Sequence, residues 1–466
     1  MSKDLFQSEL QVINIGLSSF TDPLEARGIK NIHVDWRPSI AVSADATKIL
    51  AEKKELIAIA NQKVLKKITE GKAVLIGMGK AIDCIPGMKK NLILHAGPPI
   101  TWERMCGPMK GAIIGALLYE GMAQDEAQAE TLAANGKIDY SPCHEHQTVG
   151  PMAGVVSPSM PVFILKNTQF GNLSYSTQNE GLGKVLRYGA YSKEVLTRLK
   201  WMETTLYPAL KNAIEFLQEI DIKNIMAQAL HMGDELHNRN RAGTSLFYRA
   251  IAPAIIESTA DKKLAAEVLN FINSNDHFFL NLSMAASKAI LDAAQNIKDS
   301  SVAVIMARNG TDFGIKLSGT GKTWFTGPAE IPDALFFPGY TKEDANPDIG
   351  DSAITETLGI GGFAMACAPA IVQFVGGKSS DALAFSEEMY EITTGENTVF
   401  QIPALNFRGT PTGIDVIMVI EKNILPVINT GVAHKKPGIG QVGAGVLRAP
   451  ALPFQKAFEA LAKDSL

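Results

Sequence analysis

Three of the eight histidines in this 466-residue chain stand in polar runs bounded by glycine. His95 begins His95-Ala96-Gly97-Pro98-Pro99, at the end of an apolar run. His237 lies in Gly233-Asp234-Glu235-Leu236-His237-Asn238-Arg239-Asn240, and His434 lies in Asn429-Thr430-Gly431-Val432-Ala433-His434-Lys435. Imidazole titrates near neutral pH, so each is a candidate acid–base group. On a helix, Asp234, His237, Asn238 and Arg241 would share one side, and Asp234 would orient the His237 ring. A helix end with self-paired charges is the plainer alternative there.

Cations that could hold a small anion stand in similar runs. Lys110 follows Gly107-Pro108, where a helix start would expose free N–H groups and a positive dipole end. Glu180 opens Asn179-Glu180-Gly181-Leu182-Gly183-Lys184 and is grouped with it as a substrate contact. Lys184 and Arg187, three apart, would share a helical face and grip a carboxylate or phosphate. Arg308-Asn309 at a strand end suits a planar carboxylate or amide, although Asn309-Gly310 also reads as a hairpin turn. Asp348 and Asp351 could hold a cation, and Asp351 could instead cap the following helix. His144, in Cys143-His144-Glu145-His146, is expected to border a substrate pocket. No second Cys/His cluster exists to complete a zinc site, so no metal is expected.

Several chemistries are excluded. There is no GxxxxGK[ST], HExxH or GxSxG pattern. Gly438, Gly440 and Gly443 match GxGxxG literally, but Pro437 and the C-terminal location speak against a dinucleotide, and no cofactor is expected. The four cysteines form no CxxC pair and read as reduced thiols of a cytoplasmic protein. Met1 to Gln11 has no apolar run of the kind a secretory signal needs. A net charge of −4 gives no reason to expect nucleic acid or an anionic membrane as partner. The apolar run from Gly359 to Val375 reads as a buried helix rather than a membrane span.

The elements that must position these residues follow from periodicity. Val12 to Ile15, a helix after Pro23 ended by Gly28, and Ile32 to Val34 form a βαβ unit. A helix from about Thr47 to Glu70 follows, then strands at Ala73 to Ile76 and Leu92 to Leu94. The expected class is multidomain α/β. Residues 1–135 would be Rossmann-like, 136–192 mixed α+β, 193–298 mainly helical, and 299–466 α+β with Gly-rich loops. Leu210, Ile214 and Leu217, and Leu264, Val268, Phe271 and Ile272, mark helical faces. Asp221 is a candidate N-cap for the helix running through His231.

Taken together and in order, HAGPPI, GPMKGA, SPCHEHQTVGPMAG, NEGLGKVLRYGAY, MGDELHNRN, NPDIGDSAITETLGIGGFAM and NTGVAHKKPGIGQVGAG resemble the bacterial YlbE/YahG-like family. The resemblance runs from about Ala73 to Ala462, and the opening segment with VDWRP is similar to the longer, YahG-type members. The resemblance implies a large, AllG-like subunit of an oxamate carbamoyltransferase of allantoin and purine catabolism. Such an enzyme converts oxalurate and phosphate into oxamate and carbamoyl phosphate. It implies an FdrA-like subunit and a small third subunit as partners, and a homo-oligomer is expected. A CoA- or nucleotide-binding acyl-CoA ligase-like component and a non-catalytic scaffold are the rival readings. The family supplies no catalytic residues to carry over.

Phosphorolysis of a ureido acid needs no covalent nucleophile. It needs hydrogen-bond donors for the charge growing on the carbamoyl oxygen, cations for two anions, and an acid for the leaving nitrogen. Lys110, Lys184, Arg187 and Arg308 are the candidate cations, and His95, His237 and His434 the candidate acids.

Overall fold

The computed structural model describes residues 10–463 apart from 35, 151, 153, 179, 180, 375 and 376, so the Glu180 assignment and the N-terminal segment lie outside the described residues. The chain is a mixed α+β protein built from several small sheets held together by helices.

The opening βαβ unit forms as its residues suggest. Gln11–Ile15 and Lys30–Val34 pair in parallel, and helix Asp22–Glu25 carries Pro23 in its first turn between them. The sheet stops at those two strands. Ala73–Lys80 lies instead in a five-stranded sheet, antiparallel to Pro161–Asn167. Leu92–His95 belongs to a separate three-stranded sheet, parallel to Asp139–Pro142 and antiparallel to Val155–Val156. The Rossmann-like sheet expected over residues 1–135 is therefore not formed. Both apolar runs are strands, but an apolar run states only that both faces are covered, not which neighbour pairs with it.

The single helix expected from about Thr47 to Glu70 is two, Ala44–Glu52 and Lys54–Glu70, broken at Lys53. From Lys193 to Asp292 the chain is mostly helical. Asp221 caps Ile222–His231 by accepting from the Asn224 N–H at 3.0 Å. Leu210, Ile214, Val268 and Ile272 point into one large core shared with Leu75, Phe163 and Leu165 of the five-stranded sheet. Helix Leu280–Asp292 runs through this core, buried from Leu280 to Leu291.

After residue 300 the strands Ala303–Asn309 and Asp312–Leu317 form the hairpin that Asn309-Gly310 signals. Ile349–Gly350 and Phe325–Pro328 flank it to complete a four-stranded sheet. A second antiparallel sheet joins Asp333–Phe336, Gln441–Arg448 and Val427–Ala433. The Gly438-x-Gly440 segment is the turn of its longer hairpin. The long helix expected over Gly359 to Val375 is broken. Gly359 and Gly361 take φ of +98° and +61°, a 3-10 segment spans Gly361–Cys367, and Pro369 begins a separate helix, Pro369–Phe374. Pro369 cannot continue the preceding turn, which sets the break.

The Asp221 cap is local, so its removal tests the helical assignment without touching the site. Asp221→Ala is expected to lower unfolding stability by about 1 kcal/mol in denaturant titrations, with ligand binding unchanged.

Candidate functional site

Arg308 closes the Ala303–Asn309 strand and is fully buried. Its Nε and Nη2 donate to Asp348 Oδ2 and Oδ1 at 2.6 and 3.0 Å, a bidentate pair. Nη1 donates to Gly350 O and Ser352 Oγ, and Nη2 also to Thr430 Oγ1 at 3.1 Å. Arg308 thus spends its donors on protein acceptors from two distant loops. The sequence places it as a substrate cation; the structure places it in the frame. Asp348 likewise answers Arg308 rather than a cation. Asn309 also braces loops: Nδ2 donates to Pro98 O, and Oδ1 accepts from the N–H groups of Thr311 and Asp312.

Asp351 does the same for the other two loops. Its Oδ1 accepts from Gly97 N–H at 2.7 Å and its Oδ2 from Gly150 N–H at 2.8 Å, with no solvent exposure. His144 Nε2 lies 3.3 Å from Oδ1. Asp351 is thus a staple between loops rather than the side-chain cap of helix Ile354–Leu358. Gly97 takes φ of +80°, and a Cβ there would stand 2.4 Å from Asn309 N, so this turn admits only glycine. His95 and His144 sit in this frame, where burial holds both rings below the usual imidazole range. His95 Nδ1 is 2.9 Å from Ala96 O, and its Nε2 meets no partner.

Against this frame lies a cavity of about 310 Å³, where five of the glycine-bounded runs meet. His237 and Asn238 come from the turn after helix Ile222–His231, and Arg187 and Tyr188 from the run after Gly183. Ser352, Gly431 and Gln441 come from the C-terminal loops and strands, and His277 from the turn before the buried helix. His237 Nδ1 is 2.7 and 3.0 Å from the two oxygens of Glu356. Glu356 Oε1 also accepts from the N–H groups of Gly362 and Asn429, and Oε2 from Thr355 Oγ1. Burial alone would raise Glu356, but the His237 charge and these donors outweigh it and hold the carboxyl below its usual value. A carboxylate on Nδ1 fixes the ring and its tautomer, and leaves Nε2 as the nitrogen available for proton transfer.

Arg187, also buried, lines the same cavity. Its Nε donates to Gly181 O and its Nη2 to Tyr188 Oη, which in turn donates to Gln441 Oε1. His277, beside it, is pushed down to about 3 by burial, with the Arg187 and His237 charges adding to the effect. It is a neutral wall at any ordinary pH.

The expected Asp234–His237 partnership does not form. Residues 232–240 are a turn, with Leu236 at φ +71°, and not a helix. Asp234 Oδ2 instead accepts from Gly243 N–H at 2.8 Å, and burial pushes its carboxyl up to about 7. Glu356 takes its place from 119 residues further along. Sequence reasoning also passed over Glu235, whose Oε1 accepts from the N–H groups of His237 and Arg239. Burial, reinforced by the Glu356 charge, pushes Glu235 up to about 8 against those two donors. Acidic residues beside His237 and inside NPDIGDSAITETLG were the only signals, and neither marks a contact by itself.

The remaining candidates lie elsewhere. Lys110 Nζ sits over the Trp102 ring at 5.3 Å, and Gly107 at its helix start packs on the Lys435 carbonyl. Lys184 is exposed while Arg187 is buried, so the two share no face. His434 Nδ1 accepts from Lys436 N–H, and its ring meets Tyr340 edge-on outside the cavity; burial lowers it. The Cys143–His146 turn sends its donors apart: Glu145 to Lys316 and Trp324, His146 to Pro86 O and Ser141 Oγ. Among the described residues no three His, Cys, Asp or Glu side chains are grouped to hold a metal ion. Lys288, also unforeseen, is buried on its apolar helix and donates to Asp292 Oδ1 and His144 O.

Comparison with known proteins adds context. Residues 138–352 match the family described as "Oxamate carbamoyltransferase subunit AllG". The chain is 49% identical over 465 residues to "Uncharacterized protein YahG" of Escherichia coli K12, covering 98% of each. It is 48% identical over 411 residues to "Oxamate carbamoyltransferase subunit AllG" of the same organism, covering 88% of this chain and 98% of that one. Among solved structures, a conserved protein of unknown function from Enterococcus faecalis V583 superposes with a TM-score of 0.87 at 50% identity. That match covers 88% of this chain and 98% of the other.

Glu235 gives this site a pH signature. A carboxyl raised on folding keeps its proton longer than the unfolded chain does. Its contribution to stability is therefore whole below the unfolded value near ~4.3 and is lost as pH rises through the folded value. With that folded value at about 8, the loss spans mildly acid to mildly basic pH. Glu235→Gln removes the titration. Its melting temperature is expected to match the parent near about pH 4 and exceed it by a few degrees near about pH 8, read by calorimetry. A constant difference across that range would contradict the assignment.

Proposed function

The chain belongs to the family of YahG and the oxamate carbamoyltransferase subunit AllG, and from that membership we propose that it is the carbamoyl-transferring subunit of an oxamate-type enzyme. The reaction is phosphorolysis of a ureido acid such as oxalurate, giving oxamate and carbamoyl phosphate. The observation that carries this reading is the buried His237–Glu356 pair beside a cavity that Arg187 also lines.

In this reading a phosphate oxygen attacks the carbamoyl carbon, and the carbon–nitrogen bond to the acid breaks. His237 Nε2 takes the proton of the hydrogen phosphate and passes it to the departing nitrogen, so oxamate leaves as a neutral amide. Glu356 is the positioning residue: it keeps Nδ1 protonated and stabilises the imidazolium while the proton is in transit. Arg187 offsets the charge of the two anions, and the Asn238 and Gln441 amides order the polar wall. The cavity is small and buried, which strengthens each of these interactions. Arg308 serves by holding the loops, and His95 and His144 are buried within that frame, not placed to meet substrate. An FdrA-like subunit, a small third subunit and self-association belong to the same proposal, as does a cytoplasmic location.

Co-expression with the partner subunits, followed by assay of carbamoyl phosphate from a panel of ureido acids, tests it. His237→Gln is expected to lower turnover by about 100-fold or more in the assembled enzyme. Glu356→Gln is expected to lower kcat and shift the pH profile while KM stays nearly unchanged. Parental turnover in His237→Gln would overturn the assignment. Binding of CoA or nucleotide in place of carbamoyl phosphate would overturn the function itself.

A further inference from the structure

A second cavity shares one lining residue, Arg187, with the first. It encloses about 500 Å³ of atom-free space, part of it open to solvent. Its wall is mostly apolar, built by Met160, Leu186, Leu199 and Met202. One side chain breaks that pattern. Gln178 is buried, and among the described residues neither its Oε1 nor its Nε2 has a hydrogen-bond partner. A buried amide left with both ends unpaired is a standing penalty to the fold, so it calls for a ligand that pairs with it. The helix supplying Leu199 and Met202 also departs from α geometry here. A π-helical turn spans Met202–Leu206 between Lys193–Trp201 and Tyr207–Leu217. Such turns widen a helix and recur at functional sites.

Resting on the carbamoyl-transfer reading, we infer that this cavity receives the far end of the substrate, and that this end carries an apolar substituent beside its carboxylate. A glutamine amide offers one donor and one acceptor side by side, the complement of a carboxylate oxygen and the N–H adjoining it. Oxalurate has no apolar substituent and would leave the Met160, Leu186, Leu199 and Met202 wall uncovered. The substrate class is therefore a substituted ureido acid, with its carbamoyl carbon at His237 and its side group against this wall.

Calorimetric titration of the full chain with carbamoyl phosphate, oxamate, N-carbamoylglycine and N-carbamoylleucine tests the inference. The leucine derivative is expected to bind roughly 10-fold or more tighter than the glycine derivative, from the extra apolar area covered. Leu199→Trp, which fills the cavity, is expected to abolish that preference and to leave carbamoyl phosphate binding intact. Gln178→Leu is expected to weaken the leucine derivative about 10-fold while leaving the melting temperature equal or higher, because an unpaired buried amide is removed. A purely structural Gln178 would instead lower the melting temperature and leave affinity unchanged. Equal affinity for the two derivatives, alongside normal carbamoyl phosphate binding, overturns this inference alone. Failure of every carbamoyl compound to bind overturns the functional reading beneath it, and this inference with it.

Discussion

The buried pairing of Arg308 with Asp348 is the constraint on which the site depends. A guanidinium and a carboxylate taken out of water are expensive unless every remaining donor and lone pair is answered. Here they are answered by Gly350 O, Ser352 Oγ and Thr430 Oγ1, groups that lie 42, 44 and 122 residues from Arg308. Satisfying that one arginine therefore fixes where two loops must stand. Asp351 extends the same logic, since its two oxygens hold the Gly97 and Gly150 peptides 254 and 201 residues away. Removing one partner of such a network would leave an uncompensated charge, costing about 3–5 kcal/mol.

Against this frame lies a small cavity lined both by His237, which Glu356 holds, and by Arg187. Glu356 sits on a short helix just beyond the Asp351 staple, so the frame that closes the loops also sets the carboxylate behind His237. Asp348 and Asp351 answer protein donors, whereas Glu356 holds Nδ1 of a histidine that lines the cavity. Glu235, raised by burial beside that pair, makes the neighbourhood sensitive to pH without adding a charge near neutrality.

Much of the local structure was legible from residue type. Asp221 caps its helix, Asn309-Gly310 turns a hairpin, and Gly107-Pro108 opens Gly107–Tyr119, because each depends on residues within a few positions. Parts of several motifs meet at one cavity, but of the described candidate residues only His237 and Arg187 line it. What was not legible is who meets whom. Ala73–Lys80 and Leu92–His95 look alike as apolar runs and enter different sheets. Arg308 looks like a ligand for anions until Asp348 is brought beside it. Asp234 is three residues from His237 yet turns away, because the segment is a tight turn rather than a helix. Long-range pairing decides each case, and one sequence does not encode it in any local pattern.

The most direct measurement is a crystal structure of the chain soaked with carbamoyl phosphate. The account predicts the ligand in the cavity between His237 and Arg187, with an oxygen or nitrogen within hydrogen-bonding distance of His237 Nε2. Ligand found at another surface, with this cavity still closed and empty, would contradict it.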